Sequence, residues 1–81
     1  GGYLSDTILE FKGLYLNKQL QLTKILKNFP QYGLRVGDKL LMVNKIPIKN
    51  QIELKKNISA FDKKALLLFE RNKFTFFIQL D

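Results

Sequence analysis

The sequence contains no cysteine and no histidine, and its only serines are Ser5 and Ser59. Without cysteine it forms neither a disulfide nor a thiolate zinc site, and without histidine it builds neither a Ser-His nor a Cys-His nucleophilic pair. Its acidic residues have no metal-ligand spacing, and there is no Gly-Lys-Ser/Thr phosphate loop. We therefore expect a domain that is not an enzyme and that binds no metal and no cofactor.

Long apolar segments are also missing. No run approaches the ~20 residues that span a bilayer, and the N-terminus has no basic region followed by an apolar core. Eighty-one residues support one hydrophobic core, so we expect a single domain spanning residues 1–81. The abrupt start and the strand-like end of the sequence lead us to expect a domain excised from a longer protein.

Charge of one sign dominates, because 14 basic residues face 7 acidic ones and the formal charge is +7. The lysines are spread along the chain, which indicates a solvated coat with a weak, salt-sensitive attraction to anionic surfaces. Residues 73–77 alternate aromatic and polar residues in part, but they lack the glycine and the second aromatic motif of an RNA-binding strand. We expect no nucleic-acid partner.

Short apolar or alternating segments predict strands, with a brief edge segment near 46–48. The predicted strands lie near residues 7–11, 13–16, 20–25, 39–43, 65–71 and 74–80. Asn50 is a suitable N-cap for one main helix over about 51–59, and a short helical turn is expected at about 29–32. These elements predict an α+β fold, a partly open β-barrel or sandwich of about five to six short strands with one main helix.

Apolar residues of the later strands form the expected core. They are Leu40, Leu41, Val43, Leu66, Leu68, Phe74, Phe76 and Ile78. Phe77 lies on the opposite face of its strand, where it is either exposed for contact with a neighbour or buried beneath the N-terminal strand. The acidic residues Glu10, Asp38, Glu53 and Glu70 are interpreted as caps and surface charges.

The most informative segment is Gly33-Leu34-Arg35-Val36-Gly37-Asp38, which leads directly into the apolar strand that starts near Lys39. Both glycines accept a positive φ, and Asp38 can accept backbone N–H bonds, so the segment predicts a tight turn into a buried strand. Together with Val43-Asn44, the helix and the final hairpin, this order resembles a bacterial PDZ domain, as found in HtrA-like proteases, C-terminal processing proteases and type II secretion components.

The resemblance implies a peptide-binding groove between the second strand and the helix. Gly13-Leu14-Tyr15-Leu16 would correspond to the family's carboxylate-binding segment, with Gly2-Tyr3-Leu4-Ser5 as a rival copy. On this basis the peptide-binding residues are Lys12, Gly13, Leu14, Tyr15, Leu16, Gln51, Lys55 and Ile58. In a second interpretation, Leu14 and Leu16 are core leucines and the groove is closed.

We accordingly expect a protein-interaction module that recognises an apolar C-terminus or an extended segment by β-strand addition, within a larger bacterial envelope protein. The alternative is a structural or regulatory PDZ-like domain with a closed or vestigial groove, which positions a protease or a secretion component. Expected partners are protein C-termini, extended segments and neighbouring domains of the parent. A location in the bacterial periplasm or at the membrane periphery follows from the family resemblance alone.

Overall fold

The structure is a computed structural model that describes residues 8–25, 33–57 and 64–80. Within those residues it contains seven strands and one helix, an α+β arrangement of two antiparallel sheets. The predicted helical turn at 29–32 and the rival segment Gly2–Ser5 lie outside the described residues, as does Ile58. The strand count is seven instead of five or six, because the brief edge segment is itself a strand.

The first sheet has three strands in the order β1(Leu9–Phe11), β2(Leu14–Leu16) and β3(Leu22–Ile25). Lys12 and Gly13 join β1 to β2 as a two-residue turn, and both have positive φ (54° and 92°). Positive φ at both turn residues is typical of a tight hairpin turn whose twist matches that of the two strands. Because β2 pairs with β1 on one side and with β3 on the other, it lies in the middle of this sheet.

The second sheet has four strands in the order β5(Ile46–Pro47), β4(Lys39–Val43), β6(Ala65–Arg71) and β7(Phe74–Leu80). Two-residue turns form its hairpins, at Asn44-Lys45 and at Asn72-Lys73, as predicted. All four turn residues have positive φ although none is glycine. The lysines at the second position adopt a conformation that glycine would adopt with less strain.

The two sheets meet where β3 begins. Gln21 forms a bridge with Lys39, and the Leu22 N–H donates to the Asp38 carbonyl over 2.8 Å. The Leu40 N–H likewise donates to the Leu20 carbonyl over 2.9 Å. These bonds join the sheets edge to edge at one end of β4.

The helix α1(Gln51–Asn57) begins as predicted after Asn50, whose side chain accepts the Glu53 N–H over 2.9 Å. Glu53 in turn accepts the Lys49 N–H over 2.7 Å, so both side chains satisfy backbone donors at the helix start. Leu54 is fully buried and attaches the helix to the core. The described part of the helix runs to Asn57, and residues 58 and 59 of the predicted helix lie outside the described residues.

The core draws on both sheets and on the helix. Leu40, Val43 and Ile78 are buried as predicted, but Leu41, Leu66, Leu68 and Phe76 are only partly buried. The prediction was wrong for Phe74, which is 51% exposed near the end of the sheet. One face of β6 is buried and the other is only half covered.

Leu20 contributes to the core from an unexpected conformation. The sequence predicts that β3 starts at residue 20, but Leu20 lies in the preceding turn with a φ of 64° and is fully buried. The Asn17 side chain holds this turn by accepting the N–H groups of Gln19 and Gln21, each over 2.9 Å. Burial of a leucine, about 1.5–3 kcal/mol, is large enough to offset the ~1–2 kcal/mol of left-handed backbone.

Candidate functional site

The predicted peptide-binding strand has neighbours on both sides. Each of its three residues pairs with a residue of β1 and with a residue of β3; Tyr15, for example, lies between Glu10 and Lys24. Strand addition needs an edge whose N–H and C=O groups are free. β1 already occupies that edge, so strand addition at Leu14–Leu16 would require β1 to be displaced.

The side chains of β2 agree with this arrangement. Leu14 and Leu16 are fully buried in the core, so neither lines an open pocket. Tyr15 lies on the other face of the sheet, where the Lys24 ammonium is 5.4 Å from its ring centroid. The interpretation of Leu14 and Leu16 as core leucines fits the structure better than a role in ligand contact.

The resemblance implies that backbone N–H groups of the segment Gly13–Leu16 bind a C-terminal carboxylate, and the first of these groups is the N–H of Gly13. In the structure it donates to the carboxylate of Glu10 over 2.7 Å, across the turn that Lys12 and Gly13 form. Glu10 thus occupies, within the same chain, one of the backbone donors of the predicted carboxylate-binding segment. β1 and Glu10 together stand where the strand and the carboxylate of a ligand were expected.

The helix side of the predicted groove is also engaged. The Gln51 side-chain amide donates to the Leu16 carbonyl over 3.2 Å, which ties the start of α1 to the end of β2. Lys55 is exposed on the helix surface. Of the predicted helix residues that the structure describes, only Gln51 contacts β2. It bonds to the backbone of that strand, where a ligand was expected.

Asp38 was expected to accept backbone N–H groups in the turn or to serve as a surface charge; the structure gives it the turn contact and buries it. Its side chain is 2% exposed and receives two bonds from the Arg71 guanidinium, Nε to Oδ1 over 2.7 Å and Nη2 to Oδ2 over 2.6 Å. The Arg35 N–H also donates to Oδ2 over 2.9 Å, which is the turn contact that the sequence predicted. Arg71 further donates to the Gly33 carbonyl over 2.8 Å.

This pairing sets the charge of Asp38. Burial opposes ionisation of the carboxyl, but the hydrogen bonds from Arg71 and from the Arg35 backbone outweigh it and lower the pKa of Asp38 below its usual 3.8. The same hydrogen bond raises the pKa of Arg71. A polar cleft of about 450 Å³ surrounds the pair. An acid held ionised in this way is suited to anchoring the turn and is poorly suited to transferring protons.

The glycines of this turn confirm their predicted role. Gly33 and Gly37 have φ values of 81° and 99°. A Cβ atom at either position would meet nothing within 4 Å, so the backbone conformation requires glycine and the surrounding space does not. The segment from Gly33 to Asp38 therefore shapes the entry into β4.

β7 is an edge strand of the second sheet, at the end opposite β5. It is seven residues long, pairs with β6 along its whole length without a bulge, and has no strand on its other side within the segments the structure describes. Phe77 is 60% exposed on its outer face, which resolves the two readings of this residue in favour of exposure. The sequence analysis did not assign a binding role to this edge, although the absence of charged residues from the strand indicates an edge that is not protected against pairing.

A row of apolar residues crosses the outer face of the second sheet at the level of Phe77. Strand pairing places Phe77 beside Leu68, Leu68 beside Met42, and Met42 beside Pro47. Leu68 and Met42 are partly buried, whereas Pro47 is exposed like Phe77. One of the two exposed ends of this outer row, Phe77, thus lies at the free edge of β7.

Comparison with protein-family models, with curated proteins and with solved structures gave no match. The PDZ resemblance accordingly stays a prediction from the sequence. No helix among the described residues is long and apolar enough to cross a membrane. In the same residues, no group of three or more acidic side chains could hold a metal ion.

Proposed function

We propose that this chain is a PDZ-like, non-catalytic protein-interaction domain whose C-terminus-binding groove is closed in cis. Its role is then structural or regulatory: it docks to other segments or domains and holds them in place. A bacterial envelope protein as the parent, and a protease or secretion component as its neighbour, belong to this proposal through the family resemblance alone.

The observation that carries the proposal is the double occupation of the expected site. β1 pairs with β2 along the edge where a peptide would be added, and the Glu10 carboxylate accepts the Gly13 N–H. Gln51 closes the helix side by its bond to the Leu16 carbonyl. A free peptide would have to displace all three contacts, and its binding would be weakened by the free energy that they contribute.

The test is a titration of the protein with an acetylated pentapeptide that ends in valine with a free carboxylate, followed by backbone amide chemical shifts. We expect no saturable shift at Gly13–Leu16 up to millimolar peptide. The matched control is the same peptide with an amidated C-terminus. Saturable shifts at Gly13 with the free acid and none with the amide would show that the groove is open, and the closed-groove proposal would be withdrawn.

A further inference from the structure

β7 has a sequence that is symmetric about Phe77 when its residues are classed as apolar or polar. The residues at equal distances on either side of Phe77 are Phe76 and Ile78, Thr75 and Gln79, and Phe74 and Leu80. Both members of each of these pairs belong to the same class. One position further out the charges are opposite, because Lys73 precedes the strand and Asp81 follows it. A strand with this symmetry is complementary to a second copy of itself in the antiparallel direction.

The free edge of β7 has the backbone phase that such pairing requires. In a two-residue hairpin the residues that flank the turn exchange backbone hydrogen bonds, so Arg71 pairs with Phe74 in this way and every second residue follows. The Leu66 carbonyl agrees with this phase, because it accepts the Asn44 N–H over 2.7 Å and therefore points away from β7. The residues whose N–H and C=O groups face the free edge are consequently Thr75, Phe77 and Gln79.

We propose that β7 pairs antiparallel with β7 of a second copy of the chain, with the two-fold axis at Phe77. Thr75 of each copy exchanges backbone hydrogen bonds with Gln79 of the other, and the two Phe77 residues exchange theirs on the axis. The second sheets of the two copies become one continuous sheet. Association stops at two copies, because both use the same edge. This inference goes beyond the proposed docking role, and it holds whether the predicted peptide groove is closed or open.

The side chains of the two copies match on both faces of this sheet. Phe77 is 60% exposed on the outer face, and in the dimer it lies beside Phe77 of the other copy. Phe74 is 51% exposed on the opposite face, and it lies beside Leu80 of the other copy. The strand itself contains no charged residue, no proline and no bulge that would block an added strand. One contact thus covers both of the aromatic side chains that β7 exposes.

Charge and register select a second copy over an unrelated segment. In the pairing about Phe77, Lys73 of each copy is opposite Asp81 of the other, so two pairs of opposite charge close the ends of the contact. A slip of the register by two residues would set each Phe77 beside Thr75 or Gln79 and would separate Lys73 from Asp81. An unrelated segment would have to supply this whole order of apolar, polar and charged residues, which a second copy carries in its own sequence.

The other charges near this edge are compatible with the dimer. Glu70 pairs with Thr75 on one side and with Lys39 on the other, so it has an opposite charge beside it within its own chain. Lys64 directly precedes β6 at the end where β7 finishes, so Lys64 of one copy and Lys73 of the other flank Asp81 in the dimer. The net charge of +7 opposes association in general, and the dimer is therefore weak. At the low protein concentrations of denaturation experiments the chain is a monomer with β7 uncovered.

The first test is sedimentation over a range of protein concentrations up to millimolar, together with backbone amide shifts. We expect a dimer whose fraction rises with concentration, and concentration-dependent shifts at Thr75, Phe77 and Gln79. The amides of Gly13–Leu16 should not respond. No peptide is present in this experiment, and the groove titration is done at a fixed, low protein concentration, so the two proposals fail independently.

Charge reversal tests the register. Lys73→Glu alone, or Asp81→Lys alone, should weaken the dimer about tenfold, because each of the two ion pairs becomes a repulsion. An equimolar mixture of these two variants should associate within about threefold of the wild type, since both ion pairs are restored in the mixed dimer. The control, Lys18→Glu, makes the same charge change at an exposed site away from β7. It should dimerise within twofold of the wild type and should not restore association when mixed with Asp81→Lys.

Two further variants test the edge itself. Phe77→Lys keeps every backbone group but sets two ammonium groups beside each other on the axis, and it should weaken the dimer at least tenfold. Thr75→Pro removes an N–H that faces the free edge and spares those bonded to β6, with a loss of similar size. If Thr75→Pro does not fold, Phe77→Lys and the charge reversals still decide the question.

A chain that stays monomeric up to millimolar concentration would overturn the proposal. So would a dimer that Phe77→Lys leaves intact, or a mixture of Lys73→Glu and Asp81→Lys that associates no better than either variant alone. Amides of Thr75, Phe77 and Gln79 that are strongly protected from hydrogen exchange in the dilute monomer would also overturn it, because the edge would then be covered within one chain.

Discussion

β2 and β7 are both built from alternating apolar residues, yet one is closed and the other open. β2 lies between two strands, and two of its three side chains are fully buried. β7 has one neighbour among the described strands and exposes Phe74 and Phe77. The difference shows that a glycine followed by alternating leucines is a weak indicator of a binding strand, because the free edge, and not the side-chain pattern, makes strand addition available.

The largest expected effect tests this contrast directly. Leu14→Ala should reduce the free energy of unfolding by about 3 kcal/mol, because it removes a fully buried side chain and leaves a cavity. Phe77→Ala should change it by less than about 0.5 kcal/mol, since the ring is mostly exposed. Urea denaturation measures both. A loss of similar size in the two variants would mean that β7 is covered in solution.

The next effect concerns the end of the β6–β7 hairpin, which the Asp38–Arg71 pair attaches to the start of β4. Asp38→Ala should cost about 2 kcal/mol, because Arg71 loses two charged hydrogen bonds. Lys39→Ala is the control at the adjacent, exposed position and should stay within about 0.5 kcal/mol. Thermal or urea unfolding measures the loss of stability in both variants. Equal losses would count against an anchoring role for the Asp38–Arg71 pair.

The same pair predicts how stability depends on pH. The folded pKa of Asp38 is lowered below its unfolded value, so the contribution of this group is complete above about pH 4 and disappears as the pH falls through the folded pKa. The difference in unfolding free energy between the wild type and Asp38→Asn should therefore be constant near neutrality and shrink below about pH 4. A difference that grows on acidification would contradict the assigned direction.

A smaller effect is expected at the bond that ties the helix α1 to the closed strand β2. Gln51→Ala removes the bond from α1 to the Leu16 carbonyl and should cost about 1 kcal/mol. Lys55→Ala, one turn further along the same helix, serves as the control because its side chain is exposed. Hydrogen exchange at the Leu16 amide should accelerate only in Gln51→Ala. Unchanged exchange in both variants would mean that Gln51 does not help to close the groove.

The smallest expected change is a gain. Lys73 has a φ of 72° in the turn that precedes β7, so Lys73→Gly should raise the free energy of unfolding by about 0.5–1 kcal/mol through relief of left-handed strain. Lys18→Gly, in a turn where φ is not positive, should instead lower it by a similar amount or less. If both glycine variants are destabilised, the strain attributed to Lys73 is absent.

Much of the local structure could be predicted because it depends on neighbouring residues. The bounds of β4, the two-residue turns at Asn44-Lys45 and Asn72-Lys73, and the Asn50 cap follow from side chains within a few positions. The glycine turn before β4 was equally readable. Leu20 was not, because no local preference favours a leucine with positive φ; its burial in the core stabilises that conformation.

The sequence by itself determined the α+β class, most strand positions and the absence of Ser-His and Cys-His pairs. The tertiary structure alone decided which strand edges are occupied. Glu10 reaches Gly13 only because β1 folds back on β2, and Asp38 is buried only because Arg71 approaches it from a position 33 residues away. Strand pairing and ion pairing of this kind depend on which segments meet in space, and a pattern of nearest neighbours does not specify that.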